Sequence, residues 1–136
     1  MSSLLYSVIE EIGTFADEAA FKKKYMWIIG DDKKRYKDVL AIENTVERGM
    51  PDLLIIDRKD KATVVEVKYA RRGIITFKRT QIPWYRRHCN LNIIILAYND
   101  KTQNIHRIDS SIILMKAEGT KFKLADETPF VLEGML

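Results

Sequence analysis

A single stretch of the sequence, GMPDLLIIDRKDKATVVEVK at residues 49–68, constrains the fold more than any other part of the chain. Residues 53–57 form an apolar run of strand length, residues 58–60 are polar and charged, and residues 62–68 are rich in β-branched side chains. Two such runs on either side of a polar turn are typical of a β-hairpin. The stretch therefore predicts two antiparallel strands that close near residues 59–60.

The predicted hairpin brings charged side chains together at its open end. In this register Asp52 lies opposite residue 66 or 67. Side chains alternate between the two faces of a strand, so Glu66 and Lys68 point to one side and Val65 and Val67 to the other. Unpaired charges on a half-buried sheet are costly. A hard cation such as Mg²⁺, bound by one or two carboxylates with waters and substrate phosphate, offsets that cost.

Each of these pieces is common when it occurs alone. A Glu-Val-Lys triplet is found by chance in many exposed strands, and Pro-Asp is a frequent turn. The alternative to a catalytic site is therefore a solvated edge strand that carries paired opposite charges. The pieces occur here in order, at the spacing of a hairpin and before a predicted helix, and this combination favours the catalytic interpretation.

Three motifs follow one another along the chain: a Gly-x-Pro-Asp, a Glu-x-Lys, and a helix that opens with a Gln and a Trp. Their residues are Gly49, Met50, Pro51, Asp52, Glu66, Val67, Lys68, Gln81 and Trp84. Together they resemble the PD-(D/E)XK phosphodiesterases, in particular the virus-type replication-repair nucleases (VRR-NUC domains) and the related Holliday-junction resolvases. The resemblance covers residues 45–98. It implies an α/β (α+β) fold, with a mixed central sheet flanked by helices and a restriction-endonuclease-like core.

The resemblance implies a metal site built from carboxylates. Asp52 and Glu66 would bind one or two Mg²⁺ ions, for which Mn²⁺ can substitute, and the Val67 carbonyl would be a further ligand. In the family a glutamate of the first helix often completes the metal sphere. Glu11 and Glu18 are the candidates here, and the residues leave the choice between them open. The alternative for either glutamate is a solvated helix flank.

The resemblance also implies hydrolysis of phosphodiester bonds in DNA, particularly in branched or replication and repair DNA. Lys68 would position the attacking water and stabilise the charge that develops on the phosphate. Gln81 would reach the active site from the start of its helix and orient a water or a phosphate oxygen, unless it is an ordinary solvated residue. Because one site cuts one strand, a two-fold homodimer is expected.

The charge distribution predicts a nucleic-acid-binding surface. No acidic residue occurs between Glu66 and Asp100, and this segment carries a charge of +7 within a chain whose net charge is +4. Its basic residues are Lys68, Arg71, Arg72, Lys78, Arg79, Arg86 and Arg87. Such a basic segment beside a metal site suits a phosphate backbone. The alternative is that these residues are only solvated and that the aromatic residues among them, Trp84 above all, belong to the core.

Periodicity and turn residues predict the remaining elements. They are a helix at 3–24 that ends in three lysines, strands at 26–29 and 39–42, a loop at 71–75, a helix at 80–88, strands at 92–98 and 104–108, and short strands or a small helix in the C-terminal region at 103–132. The apolar run at 92–98 suggests a central strand covered on both faces. Because strand, helix and strand follow one another there, the strands at 62–68 and 92–98 are expected to run parallel.

Length and composition predict one soluble globular domain over residues 1–136. The chain has 46% hydrophobic and 31% charged residues and no apolar run long enough for a membrane span. The N-terminus lacks the features of a signal peptide. A single cysteine, Cys89, forms no internal disulfide and fits the reducing cytoplasm. Neither a membrane nor a small-molecule cofactor is expected as a partner.

Three functions remain open at this point. The first is a metal-dependent DNA endonuclease, with branched DNA as its substrate. The second is a defence or restriction-type nuclease, or an RNA nuclease, with the same fold. The third is a nucleic-acid-binding module without catalysis. The carboxylates argue against the third, because in the absence of metal they would repel phosphate.

Overall fold

A mixed five-stranded sheet lies at the centre of the structure. The computed structural model describes residues 16–42 and 49–124. Its strands are β1 (Tyr36–Ala41), β2 (Leu53–Asp57), β3 (Ala62–Ala70), β4 (Ile74–Thr76), β5 (Ile93–Asn99), β6 (Asn104–Asp109) and β7 (Lys121–Lys123). Its helices are α1 (Glu18–Asp31), α2 (Gln81–Arg87) and α3 (Ser110–Lys116).

The order of strands in the main sheet is β1-β2-β3-β5-β6, and β4 pairs with β7 in a separate two-stranded sheet. Strands β3 and β5 are parallel, and the other neighbours are antiparallel. The predicted mixed sheet flanked by helices is therefore confirmed, as is the parallel pairing around α2. This connection leaves α2 on one face of β3, which places its first residues close to the side chains of that strand.

The hairpin of β2 and β3 has the predicted register. Leu53 pairs with Val65, and Ile56 pairs with Ala62. The turn is closed by Asp57, whose carboxylate accepts hydrogen bonds from the backbone N–H groups of residues 59 and 61 at 2.8 and 2.9 Å. One residue beyond the Leu53 pair, the register sets Asp52 beside Glu66 at the open end of the hairpin.

Helix α1 corrects two predictions. Residues 26–29, predicted as a strand, are helical, and the three lysines at 22–24 lie within the helix rather than at its end. The helix continues because its buried residues Phe21, Tyr25 and Ile28 follow at steps of four and three, which is the spacing of one apolar helical face. The helix begins at Glu18, after Asp17 caps it by accepting from Ala20 N at 2.8 Å. The predicted helix before residue 16 lies outside the described residues.

The segment after β3 also differs from its prediction as a loop. Arg72 and Gly73 both have positive φ, 56° and 75°, and turn the chain into β4. Strand β4 is held by β7, through pairs such as Ile75 with Phe122. The apolar run at 112–115 belongs to α3, which Asp109 caps. Sequence alone could not show this pairing, because β4 and β7 are only three residues each and lie far apart in the chain.

Two apolar clusters cover the main sheet, one on each face. On one face α1 packs on β3 and β5, with Phe21, Tyr25 and Val67 fully buried. On the other face α2 and α3 pack with Trp84 and Ile95. Every residue of β5 is buried, as its apolar run predicts. Of the helices in the described ranges, none is long and apolar enough to cross a membrane.

Candidate active site

A cleft of about 480 Å³ opens beside the open end of the hairpin. The described residues that line it are Glu18, Ile42, Gly49, Met50, Asp52, Glu66, Lys68, Lys78, Arg79, Thr80 and Gln81. The four residues predicted to be catalytic, Asp52, Glu66, Lys68 and Gln81, therefore meet in one place. They come from the residue before β2, the middle of β3 and the first position of α2.

Asp52 is held against the neighbouring strand. Its backbone carbonyl accepts from Ile42 N at 2.7 Å, and its Oδ2 accepts from Val67 N at 3.4 Å. Its Oδ1 lies 3.6 Å from Lys22 Nζ on α1. Because the carboxylate is about 29% exposed, it can still be reached from the cleft.

Gln81 fixes the position of Lys68. The Lys68 ammonium donates a hydrogen bond of 2.8 Å to Gln81 Oε1 and lies 3.5 Å from Glu66 Oε2. The same Gln81 oxygen accepts from Lys78 N at 2.8 Å, which ties it to the start of α2. The ring of Phe77 lies beneath the ammonium, at 5.2 Å from its centroid. Lys68 is thus a buried cation that is held by an amide, a carboxylate and an aromatic face.

Glu66 is the most deeply buried carboxylate of the site, with 2% of its surface exposed. Burial, and after it the negative charge of Asp52, raise the pKa of Glu66 to about 8, whereas Lys68 and the Gln81 side chain act in the opposite direction. Its Oε1 has no hydrogen-bond partner among the described residues. A buried carboxylate oxygen without a partner is costly, and a proton or a cation bound there would offset that cost.

These donors fit a hard divalent cation. Mg²⁺ binds through one or two carboxylates and keeps several waters, and Asp52 and Glu66 supply two carboxylates, one of them with an unpartnered oxygen. Within residues 16–42 and 49–124 no three His, Cys, Asp or Glu side chains come together as a complete metal site. From the described part of the chain, Asp52 and Glu66 would hold the cation together with waters or substrate oxygens.

The other predicted metal ligands have different positions. Glu18 is exposed and lines the cleft from the first turn of α1, and Glu11 lies outside the described residues. The Val67 side chain is buried in the core beneath α1, and its N–H donates to Asp52. Of the two glutamates that the sequence left open, Glu18 is thus placed at the cleft.

The six predicted nucleic-acid-binding residues are all exposed, but they do not form one group around the cleft. Lys78 and Arg79 line it directly. Arg71 and Arg72 lie on the turn after β3, and Arg86 and Arg87 lie in the last turn of α2. The aromatic residues between them are core residues: Phe77, Trp84 and Tyr85 are at most 3% exposed.

Gly49 explains why a glycine precedes the Pro-Asp. Its φ is +94°, and a Cβ added to it would lie 2.2 Å from the backbone oxygen of Thr80. The chain before Asp52 therefore passes directly against the start of α2, and only glycine allows both the conformation and the contact. Thr80 takes the predicted N-cap position, but its side chain makes no capping hydrogen bond.

Sequence reasoning missed Tyr85 as a neighbour of the site. Gln81 and Tyr85 are about one helical turn apart, a rise of about 6 Å along α2. This nearly equals the distance of about 7 Å between Glu66 and Lys68, which are two residues apart on β3. When Gln81 contacts Lys68, Tyr85 therefore comes close to Glu66. Burial raises the pKa of Tyr85, and the charge of Glu66 raises it further. The i, i+4 spacing from Gln81 was the signal that could have revealed it.

Comparison with protein-family models finds none that matches this chain, and comparison with curated proteins finds no match.

Proposed function

We propose that this protein is a metal-dependent nuclease with a PD-(D/E)XK core. The observation that carries the proposal is the contact set of Lys68, which lies 3.5 Å from Glu66 and 2.8 Å from Gln81 inside the cleft that Asp52 also lines. A buried lysine beside a buried carboxylate is expensive to maintain for stability alone. A carboxyl group in a cleft whose pKa is raised as strongly as that of Glu66 is typical of functional sites.

The proposed reaction is hydrolysis of a phosphodiester bond. Asp52 and Glu66 would hold the cation, which when bound supplies Lewis acidity and lowers the pKa of a coordinated water. Lys68 is placed to orient the attacking water and to stabilise the negative charge that develops on the phosphate. The water oxygen forms a bond to phosphorus, the bond to the leaving sugar oxygen breaks, and the proton lost by the water is balanced by one taken up by the leaving group.

The charges around the cleft favour a nucleic-acid substrate over other phosphodiesters. Lys78 and Arg79 line the cleft beside Lys68 and can contact phosphates next to the scissile one. The carboxylates argue against a module that only binds nucleic acid, because Asp52 and Glu66 repel phosphate until a cation is bound. DNA, branched DNA in particular, is the substrate that the family resemblance favours, and a homodimer and a single domain remain part of the proposal.

Cleavage of three labelled substrates tests the proposal: a four-way DNA junction, a linear duplex and a single strand of matching sequence. Each is incubated with the wild type and Lys68→Ala in Mg²⁺, Mn²⁺ and EDTA. Lys59→Ala is the matched control, since it removes an exposed lysine at the closed end of the same hairpin. We expect metal-dependent cleavage by the wild type and the control, and none by Lys68→Ala.

The pattern of products distinguishes the possible substrates. Paired, symmetric nicks on the junction alone identify a dimeric resolvase. Equal cleavage of all three substrates keeps the metal mechanism but rejects selectivity for branched DNA, and a matching set of RNA substrates tests the RNA nuclease. Full cleavage by Lys68→Ala would remove the catalytic assignment. Tight binding in EDTA without cleavage under any condition would identify a binding module.

A further inference from the structure

Lys22 lies beside the site and has no role in the proposed mechanism. It lies on α1 with its Nζ 3.6 Å from Asp52 Oδ1. Its position is fixed by its neighbours in the helix, because Phe21 and Tyr25 are fully buried against the sheet. The backbone at residue 22 is thus held at the edge of the helix that faces Asp52.

Each carboxylate of the site lies beside one ammonium group. Lys22 lies against Asp52, and Lys68 lies against Glu66. The two lysines differ in their freedom to move. The Lys68 side chain is 7% exposed and is held by Gln81, whereas the Lys22 side chain is 33% exposed. Only Lys22 can turn its charge into solvent without leaving a buried group unpaired.

We propose that Lys22 is an exchangeable counter-ion of the metal site. Its ammonium group forms an ion pair with Asp52 Oδ1 when no metal is bound, and it moves away when a divalent cation binds to this oxygen. The inference rests on the proposed function, because it requires that Asp52 is a metal ligand. Release of Lys22 also leaves a free ammonium group near Asp52, which lines the cleft where a phosphate of the proposed substrate would lie.

The exchange has a thermodynamic signature. The cation binds only to the form of the protein in which Asp52 is free of Lys22. Its apparent affinity is therefore the intrinsic affinity multiplied by the fraction of the protein in that form. A partly exposed ion pair is weak, so the competition should reduce metal affinity by about two- to fivefold. The same contact stabilises the metal-free protein and not the metal-bound protein. An ion pair with a purely structural role would stabilise both forms equally.

The test uses Lys22→Met, which keeps the apolar stem and removes the charge. Lys23→Met is the matched control, since Lys23 is the exposed neighbour on the same helix. Calorimetric titration with Mn²⁺ gives the dissociation constant of each protein. Thermal unfolding in EDTA and in saturating Mn²⁺ gives a second readout that requires no activity.

We expect Lys22→Met to bind Mn²⁺ about two- to fivefold more tightly than the wild type and Lys23→Met. We also expect it to have a lower Tm than the wild type in EDTA, and a difference that shrinks in saturating Mn²⁺. Equal Mn²⁺ affinity in all three proteins, or an equal loss of Tm with and without metal, would overturn the exchange and leave the nuclease proposal intact. Failure of the wild type to bind Mn²⁺ would overturn both.

Discussion

Lys68 Nζ donates a hydrogen bond of 2.8 Å to Oε1 of Gln81, and this contact joins the strand that carries Glu66 and Lys68 to the first residue of α2. Gln81 is only 5% exposed. Because its oxygen also accepts from Lys78 N, the amide cannot turn away from the lysine without losing both bonds. The position of the Lys68 ammonium is therefore set by the helix as well as by the strand.

Gln81→Leu removes the acceptor and keeps most of the side-chain volume. We expect kcat for cleavage to fall by about ten- to a hundredfold, because the residue acts on the reaction through a hydrogen-bonded partner, with little change in KM. The free energy of unfolding should fall by about 1–3 kcal/mol, because Lys78 N and Lys68 Nζ lose a partner. Single-turnover cleavage and denaturant unfolding measure the two effects.

The control for this variant is Gln103→Asn, which changes an exposed amide in the turn between β5 and β6. Residue 103 has a φ of 60°, which asparagine tolerates better than most residues. Cleavage and stability should both remain near those of the wild type. If Gln81→Leu also cleaves at the wild-type rate, the Lys68 ammonium does not need this amide.

Gly49→Ala tests the close contact between the Pro-Asp segment and α2. The added Cβ would lie 2.2 Å from Thr80 O at a φ of +94°, so both a clash and a strained backbone are expected. We expect a loss of at least about 2 kcal/mol in the free energy of unfolding. Cleavage should also fall, because α2 has to shift away from Asp52.

Substitutions at two other glycines separate the cost of the clash from the cost of the strained backbone. Gly119 has a φ of +61° with open space around it, so Gly119→Ala reports the backbone strain alone, about 1–2 kcal/mol. Gly30 lies in α1 with no atom near its Cβ position, and Gly30→Ala should stabilise the protein by about 1 kcal/mol. A loss for Gly49→Ala no larger than that for Gly119→Ala would mean that the contact with Thr80 has no cost.

Much of the site could be predicted because it depends on local pairing. A hairpin with a short turn sets its own register, so Asp52, Glu66 and Lys68 could be placed together from their spacing alone. The parallel pairing of β3 and β5 followed from the strand, helix and strand order.

The parts that could not be predicted depend on contacts between distant segments. The run at 26–29 has the composition of a strand, and only its packing in register with Phe21 and Tyr25 makes it helical. The ion pair of Lys22 with Asp52 joins residues thirty positions apart. Local patterns contain no information about such pairs, so the three lysines at 22–24 looked alike in the sequence although only one of them contacts the site.

Tyr85→Phe tests the aromatic residue beside Glu66. The Tyr85 hydroxyl is buried and has no hydrogen-bond partner among the described residues. Removing such a group should leave the free energy of unfolding unchanged or raise it by about 1 kcal/mol. Because the hydroxyl lies in the field of Glu66, the pH profile of cleavage should change as well.

Tyr25→Phe is the matched control, since Tyr25 is a second buried tyrosine whose hydroxyl has no partner in the described part of the chain. It lies on α1 and packs on the opposite face of the sheet. Both variants should have similar stability, and only Tyr85→Phe should alter cleavage. An unchanged pH profile for Tyr85→Phe would show that its hydroxyl has no part in the site.

Stability of the metal-free protein should depend on the protonation of Glu66. Its folded pKa, about 8, lies above the ordinary value of 4.5, so the folded state binds more protons than the unfolded state between these values. Stability that protonated Glu66 contributes is therefore fully present at low pH and is lost as the pH rises to about 8. We expect a loss of at least about 1 kcal/mol across this window, the equivalent of one pKa unit.

The measurement is denaturant unfolding in EDTA at several pH values, for the wild type and Glu66→Gln. The difference between the two proteins is the useful quantity, because His106 acts in the opposite direction: burial lowers its pKa, so its contribution is lost as the pH falls. Glu66→Gln should lack the loss between about pH 4.5 and 8. Addition of Mg²⁺ should also remove it from the wild type, because a bound cation favours the ionised carboxylate. Parallel pH curves for the two proteins would contradict the raised pKa of Glu66.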